Sequence, residues 1–207
     1  MRGRFITVEG SEGVGKSSNL DFIYEYLIQK GKTVIRTREP GGTSVSETIR
    51  DLLLDARQKT ISDDAELLLM FAARAQHLSE VIIPALERGD WVLCDRFTDA
   101  TYAYQGGGRG IDSARIAILE DWVQGSLRPD HTLLLDMSVE AGLERAGNRS
   151  HPDRFEQEQL SFFERIRQTY LERAEKYKKR FFVIDAEHAL NQVQQQIVTA
   201  LDEILTK

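Results

Sequence analysis

Eight consecutive residues, Gly10, Ser11, Glu12, Gly13, Val14, Gly15, Lys16 and Ser17, fit the pattern G-x-x-x-x-G-K-[ST]. Glycines at this spacing let the backbone turn several N–H groups inward around phosphate oxygens. A helix that starts there adds its positive end to the same site. In such a loop the lysine reaches the β/γ-phosphates of a nucleotide and the Ser17 hydroxyl ligates Mg²⁺. The flanks provide the context the motif requires. The apolar run Arg4–Glu9 precedes it, and an amphipathic run with Leu20, Ile23, Tyr24 and Leu27 on one face follows it. The dinucleotide-binding order G-x-G-x-x-G does not fit, because the glycines stand at 10, 13 and 15.

Five more stretches carry residue types suited to this chemistry. Trp91–Asp95 is an apolar strand ending in a carboxylate, and Arg96 follows directly. Such an aspartate holds Mg²⁺ directly or through water in phosphoryl-transfer enzymes, or merely caps a turn. Thr37–Thr43, reading TREPGGT, closes the second expected strand, with Arg50 on the helix beyond. Arg38, Glu39 and Arg50 either line a crevice at the strand ends or decorate a Pro-Gly turn. Arg74 lies among apolar and small residues, where a guanidinium needs a partner. A ligand beside Met70 or Phe71 would serve, and so would an ion pair. The Gln105 amide in YAYQGGGRG can pair with an amide edge of a planar base, or belong to a plain glycine loop. Arg145, Arg149 and Arg154 surround Gly147–Asp153. They either close over a transferring phosphoryl group as arginine fingers or stay solvated.

Short apolar runs must position these groups. The strand candidates are Phe5–Glu9, Thr33–Arg38, Trp91–Asp95, Thr132–Asp136 and Phe181–Asp185. Their near-continuous apolar character predicts strands buried on both faces of a parallel sheet, alternating with helices in an α/β fold. Ser44-x-x-Glu47, Asp63-x-x-Glu66 and Asp153-x-x-Glu156 read as capping boxes. The segment Arg154–Arg180 reads as a solvated helix with Glu172/Lys176 and Glu175/Lys179 pairs. Val193, Ile197, Leu201 and Ile204 form the stripe of a last helix. Gln105–Gly110 and Gly147–Asp153 are the looser stretches.

At 207 residues and 41% hydrophobic content, one core and one domain are the simplest reading. A net charge of −6 without a basic stripe argues against nucleic-acid polymers as partners. Cys94, the lone cysteine, excludes an internal disulfide, reads as inert core and fits a reducing cytosol. No run approaches the roughly 18 apolar residues of a membrane span, and the apolar stretch after Arg2 and Arg4 is short for a signal peptide. A cytoplasmic location is expected. Histidines 77, 131, 151 and 188 lack metal-ligand spacing and read as solvated or incidental.

Together EGSEGVGKSS, TREPGGT, LLMFAARAQ, DRFTDATYAYQGGGRG and DRFEQ resemble the bacterial thymidylate kinases, in order and over most of the chain. The resemblance implies a P-loop fold with a five-stranded parallel sheet and a mobile lid at about 147–154. It implies ATP-dependent phosphorylation of dTMP to dTDP with Mg²⁺, in a homodimer. It assigns ATP to Gly10–Ser17 and the dTMP phosphate to Arg96, Arg50 and Arg38. Arg74 and Gln105 would contact thymine, with Met70 or Phe71 against the base and the Thr101 hydroxyl nearby. Glu12 would approach the acceptor's sugar and phosphate, while Glu39 and Asp95 would organise Mg²⁺ and water. Gly13 replaces the arginine that some relatives carry, so Arg149 and Arg154 would supply the catalytic lid arginines. Two features depart from the family pattern. Met70 occupies the usual position of a thymine-stacking aromatic, and Ala100 stands where a serine is common.

Two rival readings remain at the level of sequence. One is a P-loop kinase for another acceptor. The other is a non-catalytic nucleotide switch, against which stands the absence of the guanine-reading Asn-Lys-x-Asp.

Overall fold

The computed structural model describes residues 2–57, 61–147, 154–156 and 158–206. Five strands, β1 (Phe5–Glu9), β2 (Val34–Arg38), β3 (Trp91–Asp95), β4 (His131–Asp136) and β5 (Phe181–Asp185), form one sheet in the order β2-β3-β1-β4-β5. Every pairing is parallel. The expected strands are all present, with two ends displaced by one residue. Burial on both faces holds for the inner strands: β1 is buried throughout and β4 over its central residues. β2 and β5 alternate instead, because they form the sheet edges.

The helices are α1 (Lys16–Gln29), α2 (Ser44–Leu54), α3 (Asp63–His77), α4 (Ile83–Arg88), α5 (Thr98–Thr101), α6 (Ser113–Gln124), α7 (Val139–Ala146), α8 (Leu160–Lys176) and α9 (Leu190–Thr206). They cover both sheet faces. Leu20, Ile23 and Leu27 of α1 join Val193, Ile197, Leu201 and Ile204 of α9 against Ile6, Val8 and Leu133. The alternate residues Phe5, Val92 and Cys94 point to the other face. Leu134 meets Phe163, Ile166 and Tyr170 of α8 there. Cys94 is buried core, as its strand position predicts. No helix of the described residues is long and apolar enough to cross a membrane.

The helix starts depart from the capping-box reading by one residue. Thr43 caps α2 through Ser46 N, and Ser62 caps α3 through Ala65 N. Glu47 instead accepts from Gly42 N and pairs with Arg38, while Glu66 turns into the interior. Asp153 lies outside the described residues. α8 begins at Leu160 rather than near Arg154 and ends at Lys176, and Glu175 pairs with Lys178 rather than Lys179.

The glycine-rich stretch read as loose is also ordered. Tyr102–Gly108 is a π-helical turn continuing α5, a form often found at functional sites. It lies flat on α8: a Cβ at Gly107 would stand 2.8 Å from the Arg165 carbonyl oxygen. Buried Asp99 fixes the turn's start, accepting from Arg173 and Arg180 at 2.6 Å each. Removing one partner of such a buried cluster is strongly destabilising.

Candidate active site

Parallel strands place their following residues at one end of the sheet, where ligands bind in open α/β folds. Val8 and Arg38 are both in register with Asp95. Glu39 N donates to the Asp95 carbonyl, and Arg96 N to that of Val8. The phosphate-loop, TREPGGT and Asp-Arg segments therefore converge. Between them lies a cavity of about 420 Å³.

The loop after β1 carries φ values of 140° at Gly10, 73° at Gly13 and 86° at Gly15. Space as well as backbone geometry requires glycine at 13: a Cβ there would lie 2.9 Å from Gly142 Cα. An arginine does not fit at this position. Lys16 Nζ donates to the Gly10 and Ser11 carbonyls at 2.9 and 2.7 Å. Burial, reinforced by Arg96, lowers its pKa to about 8.

Arg96 is the one non-glycine residue at positive φ, 65°, among the described residues. That geometry costs roughly 1–2 kcal/mol for an L-residue. It aims the guanidinium at the loop. Nη1 donates to the Gly10 carbonyl at 2.9 Å and Nη2 pairs with Glu12 at 3.0 Å. The Tyr104 ring lies 4.7 Å from the guanidinium carbon, and the Tyr104 hydroxyl donates to Glu12. Burial works against the charge of Arg96, but Tyr104, Glu12, Tyr170 and Asp95 together raise its pKa well above the usual value. Behind it, Glu9 accepts from Phe97 N at 2.7 Å and from the Tyr170 hydroxyl at 2.8 Å. Burial, then Asp99, pushes the Glu9 carboxyl up to about 8.

The far wall is built on α3. Arg74, 3% exposed, donates through Nε to Glu39 at 2.7 Å and through Nη2 to Thr101 Oγ1 at 3.0 Å. Its remaining Nη1 is buried without a hydrogen-bond partner. Phe71 and Phe97 flank the guanidinium at 4.8 and 4.9 Å. Both alternatives left by the sequence are therefore partly realised: Arg74 has an ion pair and retains a donor. Met70 lines the cavity, whereas Phe71 is core, 2% exposed. Histidine 77, read as solvated or incidental, is fully buried, with Nδ1 3.0 Å from Glu39 and Nε2 bonded to Thr37. Thus the oxygens of Glu39 face Arg74 and His77, and Glu39 orients the arginine.

Arg38 and Arg50 line the cavity as expected. Arg38 is paired to Glu47, and Arg50 donates to the Pro40 carbonyl at 2.8 Å. Gln105 also lines it and donates to Glu66 at 2.8 Å. Arg154 is not at the phosphate loop. It binds the Leu53 carbonyl at 2.9 Å and pairs with Glu66. Arg149 and His151 lie outside the described residues. Arg145 reaches the cavity and donates to the Ala186 carbonyl at 3.1 Å. Ser17 and Asp95 share the cavity, and Asp95 Oδ1 is buried without a hydrogen-bond partner. No group of three or more ligating side chains occurs among the described residues. A hydroxyl, a lone carboxylate oxygen and nucleotide phosphates make an oxygen set that fits Mg²⁺.

Sequence reasoning missed Phe97 and Tyr104. Phe97 directly follows the Asp95-Arg96 pair and Tyr104 directly precedes Gln105, which was the available signal. It also missed Glu66, whose spacing suited a capping box.

A phosphate loop facing an arginine-rich acceptor wall is a geometry shared by several kinases, and comparison with known proteins separates them. The family model described as Thymidylate kinase matches residues 8–197. The chain belongs to the thymidylate kinase family. It is 57% identical over 204 residues to a protein named Thymidylate kinase from Alcanivorax borkumensis, covering 99% of this chain and 98% of that one. A Thymidylate kinase from Teredinibacter turnerae is 58% identical over 205 residues, covering 99% and 100%. The crystal structure of thymidylate kinase from Ehrlichia chaffeensis superposes with a TM-score of 0.79 at 33% identity, covering 98% of this chain and 99% of that one. The thymidylate kinase fold and the phosphotransferase class follow from this membership. The reaction of the family is phosphorylation of dTMP to dTDP.

Proposed function

We propose that this thymidylate kinase performs its transfer from ATP in the cavity between the phosphate loop and α3. One observation carries the reading: Lys16, Arg96 and Arg74 line a single cavity, and Arg74 keeps a buried Nη1 without a hydrogen-bond partner. Residues Gly10–Ser17 bind the ATP phosphates. Arg96, Arg50 and Arg38 hold the dTMP phosphate, and Glu12 keeps Arg96 aimed while facing the acceptor's sugar and phosphate. Arg74 and Gln105 meet the thymine edge beside Met70, with Thr101 and Glu39 holding Arg74. Ser17 and Asp95 would hold Mg²⁺, which neutralises phosphate charge when bound. Transfer of this kind needs positioning and charge stabilisation more than covalent chemistry. The stretch 147–154 acts as the lid, closing Arg149 or Arg154 onto the transferring group and excluding water. Arg154 must leave Glu66 to do so.

ADP release from ATP and Mg²⁺ tests this, with dTMP, dUMP, dCMP, dGMP, AMP and no acceptor compared. Turnover is expected to be strongest with dTMP and to vanish with EDTA. A preference for another monophosphate would remove the thymine assignments while leaving the transfer site intact.

The chain also forms a homodimer in this reading. Ile118 and Trp122, one turn apart on α6, are 68% and 80% exposed, and Leu68 on neighbouring α3 is 55% exposed. Large apolar groups clustered this way mark contact surfaces. Trp122→Glu is expected to shift the enzyme to monomer in sedimentation equilibrium. A wild-type monomer would sink the dimer.

A further inference from the structure

We propose that Glu66 is a positioning residue for base specificity: its carboxylate turns the Gln105 amide so that the carbonyl oxygen faces the base. The inference rests on Gln105 and Arg74 being the thymine contacts.

The two ends of a glutamine amide are nearly the same size, and only the hydrogen-bond partner decides which end points where. Glu66 is fully buried on α3. It pairs with Arg109 at 3.4 Å and with Arg154, and accepts from Gln105 Nε2 at 2.8 Å. A carboxylate paired to guanidinium groups offers only acceptors, so it fixes the NH₂ end of Gln105 toward itself. The carbonyl oxygen remains for the cavity that Gln105 lines.

The consequence is a two-point code. Thymine offers a ring N3–H donor beside the O4 acceptor. The Gln105 carbonyl accepts the first and the free Arg74 Nη1 donates to the second. Cytosine reverses both, setting a ring acceptor against the carbonyl and an amino group against the guanidinium. Unpaired buried polar groups of this kind are what make a site reject an isostere. Arg74 needs no orienting for its half, since a guanidinium has donors only. Gln105 does, and Glu66 supplies it.

The test compares kcat/KM for dTMP and dCMP in Glu66→Gln, Glu66→Asp and Gln105→Ala, each first checked by thermal melting. In Glu66→Gln the new amide can donate to Gln105, the Gln105 amide can turn over, and the dTMP/dCMP ratio is expected to fall about tenfold, mainly through KM. Glu66→Asp remains acceptor-only and is expected to keep the ratio even if both activities drop. An unchanged ratio in Glu66→Gln, or an equal fall in both variants, overturns the proposal, because packing alone would explain it. Gln105→Ala separates the two layers. A ratio unmoved there removes Gln105 from base reading altogether. A ratio that falls there but not in Glu66→Gln removes only Glu66. Should Glu66→Gln fail to fold, ¹⁵N NMR of the wild-type enzyme decides. The Gln105 side-chain NH₂ is expected to stay protected from solvent exchange with and without dTMP, and free exchange in the complex overturns the proposal.

Discussion

Arg96→Ala is expected to lower kcat/KM for dTMP by about 10³-fold, with KM raised and kcat reduced together. The magnitude follows from what the substitution leaves behind. Glu12 loses its partner at 3.0 Å in a site where both side chains are largely buried, and truncating one member of such a pair costs about 2–5 kcal/mol. In the proposed arrangement the acceptor phosphate loses a cation as well. Arg96→Lys would restore charge but not the fork that spans the Gly10 carbonyl and Glu12, so only partial recovery is expected. Steady-state kinetics with a melting control measure this. A loss below tenfold would make Arg96 a structural tie between β3 and the phosphate loop.

Arg154→Ala is expected to lower kcat by about 10³–10⁵, as loss of an arginine finger does, while changing the KM for dTMP little. The position of Arg154 makes the alternative concrete. Its guanidinium is held by the Leu53 carbonyl and Glu66, and its ring neighbour Phe155 lies 4.6 Å away and lines the cavity. If it stays there throughout the reaction cycle, its loss would raise KM and leave kcat intact. Single-turnover measurement separates the two, since a transition-state role slows the chemical step itself.

The parts of the site written in contiguous residues are legible in the sequence. The phosphate loop, the Asp95-Arg96 pair and the five strands depend on local spacing and apolar runs, and the structure returns them within a residue. Residues whose role depends on a distant partner were not. Histidine 77 becomes a core residue only because Glu39, 38 positions away, meets its ring. Glu66 carries the spacing of a helix cap, and only the arrival of Gln105, Arg109 and Arg154 gives it another task. Tyr102–Gly108 has the composition of a loop, yet its glycines answer to the surface of α8. Arg154 was legible as a residue of interest, but not the place where it is stored.

The contact between Gly13 and Gly142 bears on how such an enzyme can change over generations. A Cβ at 13 meets the backbone of α7, and a Cβ at 142 would stand 2.6 Å from the Glu12 carbonyl oxygen. Neither position accepts a side chain while the other element stays in place. Placing an arginine in the loop at position 13 would therefore require α7 to retreat first, and Arg145 would retreat with it. An arginine introduced at 13 alone meets the α7 backbone. The two glycines thus hold each other in place, and a lineage that has packed them together must move a helix before it can change either.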